Sequence, residues 1–97
     1  MKERNMGTPE AVDSESVLRD WLIDRLSLYL QCGRGRIEVD VPYVEYGLDS
    51  VASLSLIGDI EAEFGLSLEP TLAWDYPTVT ALAGLLASRL SASLGAA

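Results

Sequence analysis

A serine stands at the expected start of a helix, in the run Tyr46-Gly47-Leu48-Asp49-Ser50-Val51. A hydroxyl in the first turn of a helix lies beside backbone N–H groups that have no helical partner, and the helix dipole there favours negative charge. A phosphodiester on Ser50 would be stabilised in this position. The alternative is that Ser50 or Asp49 only caps the helix, which is the commoner role of an isolated Asp-Ser pair.

Conventional nucleophilic or metal chemistry has little support elsewhere in the chain. The sequence has one cysteine, Cys32, and no histidine, so it predicts no internal disulfide, no metal site and no thiol with an imidazole base. A hydrolase that uses Ser50 is disfavoured, because the chain has neither a histidine nor a Gly-x-Ser-x-Gly elbow. The carboxylates Asp59, Glu61 and Glu63 alternate along a predicted helix and do not converge on one point. We therefore interpret them as a solvated or partner-facing surface.

The charge distribution disfavours nucleic acid as a partner and favours basic protein surfaces. Fifteen acidic and seven basic residues give a net charge of −8. Residues 37–88 contain nine acidic residues and no basic one. Phosphate binding needs clustered cations, whereas an acidic surface attracts a basic partner. Because no apolar run is long enough for a signal peptide or a membrane span, we expect a soluble, cytoplasmic protein. We also expect it to be a monomer as an isolated domain.

The length of 97 residues allows one hydrophobic core. Residues 1–13 mix charges and lack hydrophobic periodicity, so we predict a flexible N-terminal tail there. Residues 93–97 are small and are predicted to form a flexible C-terminal tail. Residues 14–92 remain as a single predicted domain.

Hydrophobic periodicity predicts three main helices and one short helix. Leucines recur every fourth residue after Asp13 or Ser14, either of which can cap. The predicted elements are helix one from Ser14 to about Gly33, helix two over Ser50–Phe64, a short turn at residues 71–76 and a last helix capped by Thr78. Residues 33–49 form a long loop, and a loop of this length in a compact domain is usually functional. The predicted fold class is an all-α helical bundle.

Apolar residues of helix two and of the long loop are expected to face the core. In helix two they are Leu54, Leu56, Ile57, Ile60 and Phe64, with Ser55, Asp59, Ala62 and Glu63 on the opposite face. In the loop they are Ile37, Val39, Val41, Val44 and Leu48. Trp21 and Trp74 are expected in the core or at its edge.

The order of these motifs resembles the acyl carrier proteins, over about residues 17–90. It consists of Gly47-Leu48-Asp49-Ser50, a helix that closes at Phe64-Gly65, then Trp74-Asp75-Tyr76-Pro77-Thr78 and Leu82-Ala83. The Asp-Tyr-Pro-Thr run followed by Leu-Ala is similar to carrier domains of modular polyketide synthases. The resemblance implies an acyl-carrier-like bundle, a 4′-phosphopantetheine arm from coenzyme A attached to Ser50, and recognition of Asp49 by the transferase that installs the arm.

Departures from related patterns narrow the type of carrier. Peptidyl carriers commonly have Gly-Gly-His-Ser or Gly-Gly-Asp-Ser where this chain has Gly47-Leu48-Asp49-Ser50, which favours an acyl cargo over an aminoacyl one. Carriers that direct β-branching often have Trp at the position where this chain has Leu56, so a role in β-branching is not predicted. A closer resemblance, to carriers that follow fatty acyl-AMP ligases, is suggested by Trp21-Leu22, residues 46–52, Leu54-Ser55-Leu56, Gly58-Asp59 and residues 71–75.

The resemblance implies a non-catalytic carrier that holds polyketide or fatty acyl groups as thioesters. The implied partners are a phosphopantetheinyl transferase, an acyl-loading enzyme (a fatty acyl-AMP ligase or an acyltransferase) and a ketosynthase or other synthase domain. Partner-binding residues are predicted on helix two at Val51, Ser55, Asp59 and Ala62. The alternative function is an acidic helical module that binds other proteins and is never modified.

Overall fold

The computed structural model describes the backbone of residues 10–96 and the side chains of residues 15–92. Within this range the chain forms four α-helices and two short 3-10 turns, without a β-strand. The helices are α1 (Glu10–Leu30), α2 (Ser50–Phe64), α3 (Leu72–Asp75) and α4 (Val79–Ala96), and the 3-10 turns are Arg34–Arg36 and Tyr43–Tyr46. The predicted all-α fold with three main helices and one short helix is confirmed. None of the helices described is long and apolar enough to span a bilayer.

Both long outer helices differ in extent from the prediction. Helix α1 begins at Glu10, so the predicted caps Asp13 and Ser14 lie inside it. It ends at Leu30, because Gln31 adopts a left-handed φ of 55° that stops the helix before Gly33. Helix α4 continues to the end of the described chain, since its alanine and leucine residues favour helix. The part of the predicted tail in residues 1–9 lies outside the described residues.

One hydrophobic core joins all four helices and the loop between α1 and α2. Helix α1 packs mainly against α4, while α2 closes the core from the other side and α3 packs against α2. The largest fully buried side chains are Leu18, Leu22, Leu26, Tyr43, Leu56, Ile60, Val79, Leu82 and Leu86. The predicted cap of the last helix is confirmed, because the Ala81 N–H donates to Thr78 Oγ1 at 3.1 Å.

Three apolar residues predicted to face inward are exposed. Leu54 is 52% exposed, because it lies about 200° around the helix from Leu56 while Ser53, at 3%, takes a place in the buried face. Val44 is 45% exposed, and its neighbour Tyr43 is the buried residue of that turn. Trp74 is 53% exposed, although Trp21 lies at the edge of the core as predicted.

The loop between α1 and α2 is pinned to the core at several points. Ile37 and Leu48 are buried as predicted. The Thr80 N–H of α4 donates to the carbonyl oxygen of Val39 at 3.0 Å. The two 3-10 turns satisfy further backbone groups within the loop. The segment that leads to Ser50 is therefore held against the start of α4.

Candidate functional site

Ser50 is the first residue of α2 and is exposed. Asp49 precedes it as the N-cap, and Asp49 Oδ1 accepts a hydrogen bond from the Ala52 N–H at 2.8 Å. Of the two capping candidates in the sequence, Asp49 is therefore the cap. The Ser50 hydroxyl is not needed to start the helix and faces solvent, where it is accessible for chemistry.

The backbone before Ser50 follows from the types of three residues. Gly47 has a φ of 97°, a left-handed conformation that favours glycine, and its N–H donates to the Val44 carbonyl oxygen at 3.0 Å. Leu48, 4% exposed, anchors the turn in the core. Gly47, Leu48 and Asp49 thus supply a turn, an anchor and a cap in succession, and the serine that follows is exposed.

The first turn of α2 suits a covalently attached anion. The first N–H groups of an α-helix have no i−4 carbonyl to bind, and they carry the positive end of the helix dipole. At α2 the Ala52 N–H donates to the Asp49 side chain. The N–H groups of Ser50 and Val51, the first two residues of the helix, are left to bind an anion. A phosphodiester at Ser50 Oγ therefore fits this turn.

The predicted partner-binding residues of α2 occupy two different environments. Val51 is 72% exposed, and Ser55 and Ala62 are also exposed. Asp59 is partly buried, and the Tyr29 hydroxyl of α1 donates to Asp59 Oδ2 at 2.5 Å. Val51, Ser55 and Ala62 therefore lie open to a partner, whereas Asp59 is joined to α1.

A seam of side chains connects α1 with the second half of α2. Arg25 Nη1 lies 3.7 Å from Asp59 Oδ2, and the Arg25 guanidinium also lies over the Trp21 ring at 5.2 Å. Trp21 meets Phe64 edge to face, with ring centroids 5.1 Å apart. Burial, then the hydrogen bond to Asp59, raises the pKa of Tyr29, so its hydroxyl keeps its proton as a donor. A substitution at Asp59 would perturb this seam as well as any docking surface.

The other helix-two carboxylates also lack a metal-like arrangement. Glu61 Oε2 accepts a hydrogen bond from the Leu68 N–H at 2.8 Å, which ties the end of α2 to the link that follows. Among the side chains described, no three His, Cys, Asp or Glu residues lie together so as to hold a metal ion. Cys32 is partly buried and packs against the core, where its small side chain fills space.

Tyr43, whose role the sequence pattern does not predict, links the loop before Ser50 to α3 and to the residues that follow it. Tyr43 is 1% exposed, and its hydroxyl donates to the carbonyl oxygens of Ala73, at 3.1 Å, and Tyr76. Burial raises the pKa of Tyr43, so this hydroxyl stays protonated. Pro77 was a signal that a backbone carbonyl nearby would lack its helical donor, but the sequence does not say which side chain replaces that donor.

The four-helix fold of this chain is similar to that of carrier proteins of known structure. One is a free-standing peptidyl carrier protein from Acinetobacter baumannii, with a TM-score of 0.77 and 38% identity, covering 79% of this chain and 96% of the other. Another is the HMG-ACPI domain of the CurA module from Lyngbya majuscula, with a TM-score of 0.78 and 27% identity. That match covers 96% of this chain and 95% of the other.

The family described as phosphopantetheine attachment site matches residues 20–86. The chain therefore belongs to that family, which implies a covalently attached 4′-phosphopantetheine group. A relative by sequence is the polyketide synthase GfsB of Streptomyces halstedii, 35% identical over 88 residues. That match covers 90% of this chain but only 2% of the relative's length. The predicted resemblance to polyketide-type carriers is confirmed, and the fatty acyl-AMP ligase subtype stays a prediction.

Proposed function

We propose that this chain is an acyl carrier domain whose 4′-phosphopantetheine arm is attached at Ser50. The observation that carries the proposal is the exposed Ser50 hydroxyl at the first position of α2, with helix capping left to Asp49. When bound, the arm supplies a thiol that holds an acyl group as a thioester. The chain itself supplies the anchoring hydroxyl, a rigid mount for it and a surface that partner enzymes bind.

The base for attachment is expected to come from the transferase. The Ser50 oxygen bonds to the phosphorus next to the pantetheine in coenzyme A, the pyrophosphate bond breaks, adenosine 3′,5′-bisphosphate leaves, and the hydroxyl proton passes to a base. The neighbouring Asp49 carboxylate is engaged with the Ala52 N–H, and the chain has no histidine. Asp49 is therefore proposed to keep the turn in place for transferase recognition rather than to remove the proton.

Incubation with coenzyme A and a broad phosphopantetheinyl transferase tests the function directly. The intact mass of the wild-type chain is expected to increase by one phosphopantetheine group. An unmodified interaction module, which is the alternative function, would keep its mass. A mass increase that equals two or more groups would contradict a single attachment site.

The surface beside Ser50 is proposed to be a largely uncharged docking face. Val51 is 72% exposed and Leu54 is 52% exposed on the first turns of α2, where an enzyme that reaches Ser50 must approach. Two carboxylates farther along the helix, Asp59 and Glu61, have partners within the chain. Apolar contact surrounded by polar groups is the usual arrangement at the centre of a protein interface.

Val51→Asp is expected to reduce the efficiency of arm transfer by roughly tenfold, because a charge replaces an apolar contact worth more than about 1 kcal/mol. The helix should remain intact, since an acidic residue in the first turn suits the helix dipole. Val17→Asp is the matched control, because Val17 is 60% exposed on α1. Kinetics of transfer and circular dichroism check both variants. Equal losses in the two variants would refute a docking role for Val51.

Partner enzymes are proposed to include an acyl-loading enzyme and synthase domains that use the loaded arm. A carrier acts by tethering, because an arm that links the substrate to the protein gives each enzyme a high effective concentration of it. The catalysis is proposed to belong to the partners. The resemblance to carriers of acyl-AMP-ligase systems favours transfer of a fatty acyl group from an acyl adenylate to the arm thiol.

Loading by a fatty acyl-AMP ligase is expected to depend only weakly on salt, changing by about twofold or less when salt is raised, because an apolar interface is little screened. The arm-bearing protein is incubated with such a ligase, ATP and a series of fatty acids at two salt concentrations. A parallel reaction uses a malonyl-loading acyltransferase and malonyl-CoA, and mass spectrometry follows both. Efficient malonylation without fatty acyl transfer would contradict the starter role and leave the assignment of Ser50 intact.

A further inference from the structure

Tyr43 hydrogen-bonds through both its side chain and its backbone to residues 73–77, which form the end of α3 and the start of the link to α4. Its hydroxyl donates to the carbonyl oxygens of Ala73, at 3.1 Å, and of Tyr76. A tyrosine has one donor proton, so the two carbonyls share it. The Tyr43 backbone N–H donates to the Pro77 carbonyl oxygen at 3.0 Å. One loop residue therefore serves three carbonyl groups of this short segment.

Two of these carbonyls, at Ala73 and Tyr76, have no backbone donor at residue i+4. In an α-helix the carbonyl of residue i accepts from the N–H of residue i+4. For Ala73 that residue is Pro77, which has no N–H. For Tyr76 it is Thr80, whose N–H donates instead to the Val39 carbonyl oxygen at 3.0 Å. Because Ala73 is buried, its carbonyl needs a donor from within the protein, and the tyrosine hydroxyl provides it.

The same residue also holds the approach to Ser50. The carbonyl oxygen of Tyr43 accepts from the Leu48 N–H at 3.4 Å, and Leu48 is 4% exposed. Asp49 and Ser50 follow directly. A continuous set of hydrogen bonds thus runs from the break between α3 and α4 through Tyr43 to a residue two positions before the proposed attachment site.

We propose that the Tyr43 hydroxyl is a positioning group for arm attachment, which holds the loop against α3 and so keeps Ser50 in the geometry that the transferase binds. The proposal rests on the proposed function of Ser50. The hydroxyl is buried and acts only through Leu48 and α3. Without it, a smaller fraction of the free protein has an ordered loop, and an enzyme that binds the ordered loop shows a higher KM at unchanged kcat.

Tyr43→Phe tests this role, because it removes the hydroxyl and keeps the buried ring. Tyr46→Phe is the matched control, since the Tyr46 hydroxyl accepts from the Glu38 N–H at 2.8 Å within the same loop. Transfer kinetics are measured well below the unfolding temperature, with amide hydrogen exchange of the full unmodified chain alongside. We expect Tyr43→Phe to accelerate exchange about a hundredfold at Leu48 and Tyr76 but not in α1, because two carbonyl groups lose their donor, and to raise the KM about fivefold.

Several outcomes would overturn the positioning role. One is an unchanged KM with exchange accelerated equally in all helices, which would leave Tyr43 as a purely structural contact. Another is an equal rise in KM for Tyr46→Phe, which would assign the effect to the loop as a whole.

If Tyr43→Phe is unfolded in buffer, the comparison is made in sucrose, which favours compact states without replacing the hydrogen bond. If the wild-type chain takes no arm, the proposed function fails, and exchange alone still tests the contact.

Discussion

Ser50→Ala is expected to abolish attachment of the phosphopantetheine arm and to leave folding nearly unchanged. The variant lacks the hydroxyl at the first position of α2, to which the arm is proposed to be attached. No mass increase should therefore follow incubation with coenzyme A and the transferase. Because Asp49 rather than Ser50 caps the helix, the free energy of unfolding should change by less than about 0.5 kcal/mol. Intact mass and urea unfolding measure the two effects separately.

Two controls make the result on Ser50 specific. Ser67→Ala removes an exposed serine that lies outside the predicted partner-binding residues and should retain the full mass increase. Asp49→Ala should cost about 0.5–2 kcal/mol of stability, because it removes the observed cap. Full modification of Ser50→Ala would show that the arm is attached elsewhere. A stability loss in Ser50→Ala as large as that in Asp49→Ala would contradict the assignment of the cap.

Leu56→Ala is expected to destabilise the protein by about 2–5 kcal/mol, because Leu56 is completely buried and truncation leaves a cavity in the core. A loss of this size is a large part of the stability of a small domain. Leu54→Ala should cost within about 0.5 kcal/mol, since Leu54 is 52% exposed. Urea unfolding of both variants provides the comparison.

The pair Leu54 and Leu56 separates two descriptions of α2. The sequence pattern predicts both residues on the core face, whereas only Leu56 lies there in the structure. Similar losses of several kcal/mol in both variants would support the broader apolar face and remove Leu54 from the proposed docking surface. Retention of arm transfer by Leu54→Ala would be uninformative about the core, so stability is the quantity that decides.

Local signals predicted α2 and its start accurately because each residue there has one dominant role. Gly47 supplies a positive φ, Asp49 a cap and Gly65 a left-handed stop, and none of these depends on distant residues. The four-residue period of leucines likewise identified α1 and its buried face. The exposed hydroxyl of Ser50 follows from this local geometry, which is why the candidate site could be located from the sequence.

Features that depend on contacts between distant segments could not be predicted in the same way. The burial of Tyr43 reflects carbonyl groups thirty or more residues away that lose their helical donors. The placement of Asp59 depends on Tyr29 and Arg25 of another helix, whereas periodicity shows only that Asp59 lies off the main apolar face. Exposure of Trp74 depends on how the short α3 lies on the bundle.

The break between α3 and α4 bears on protein engineering. A designer who grafts the Gly47-Leu48-Asp49-Ser50 motif onto another helical scaffold would copy the turn, anchor, cap and hydroxyl. The graft would still lack the segment around Pro77, whose carbonyl groups hold the loop through Tyr43. A graft that keeps this contact would therefore need residues 37–80, with both sides of the contact, on a scaffold that replaces the apolar surfaces of α1 and α4.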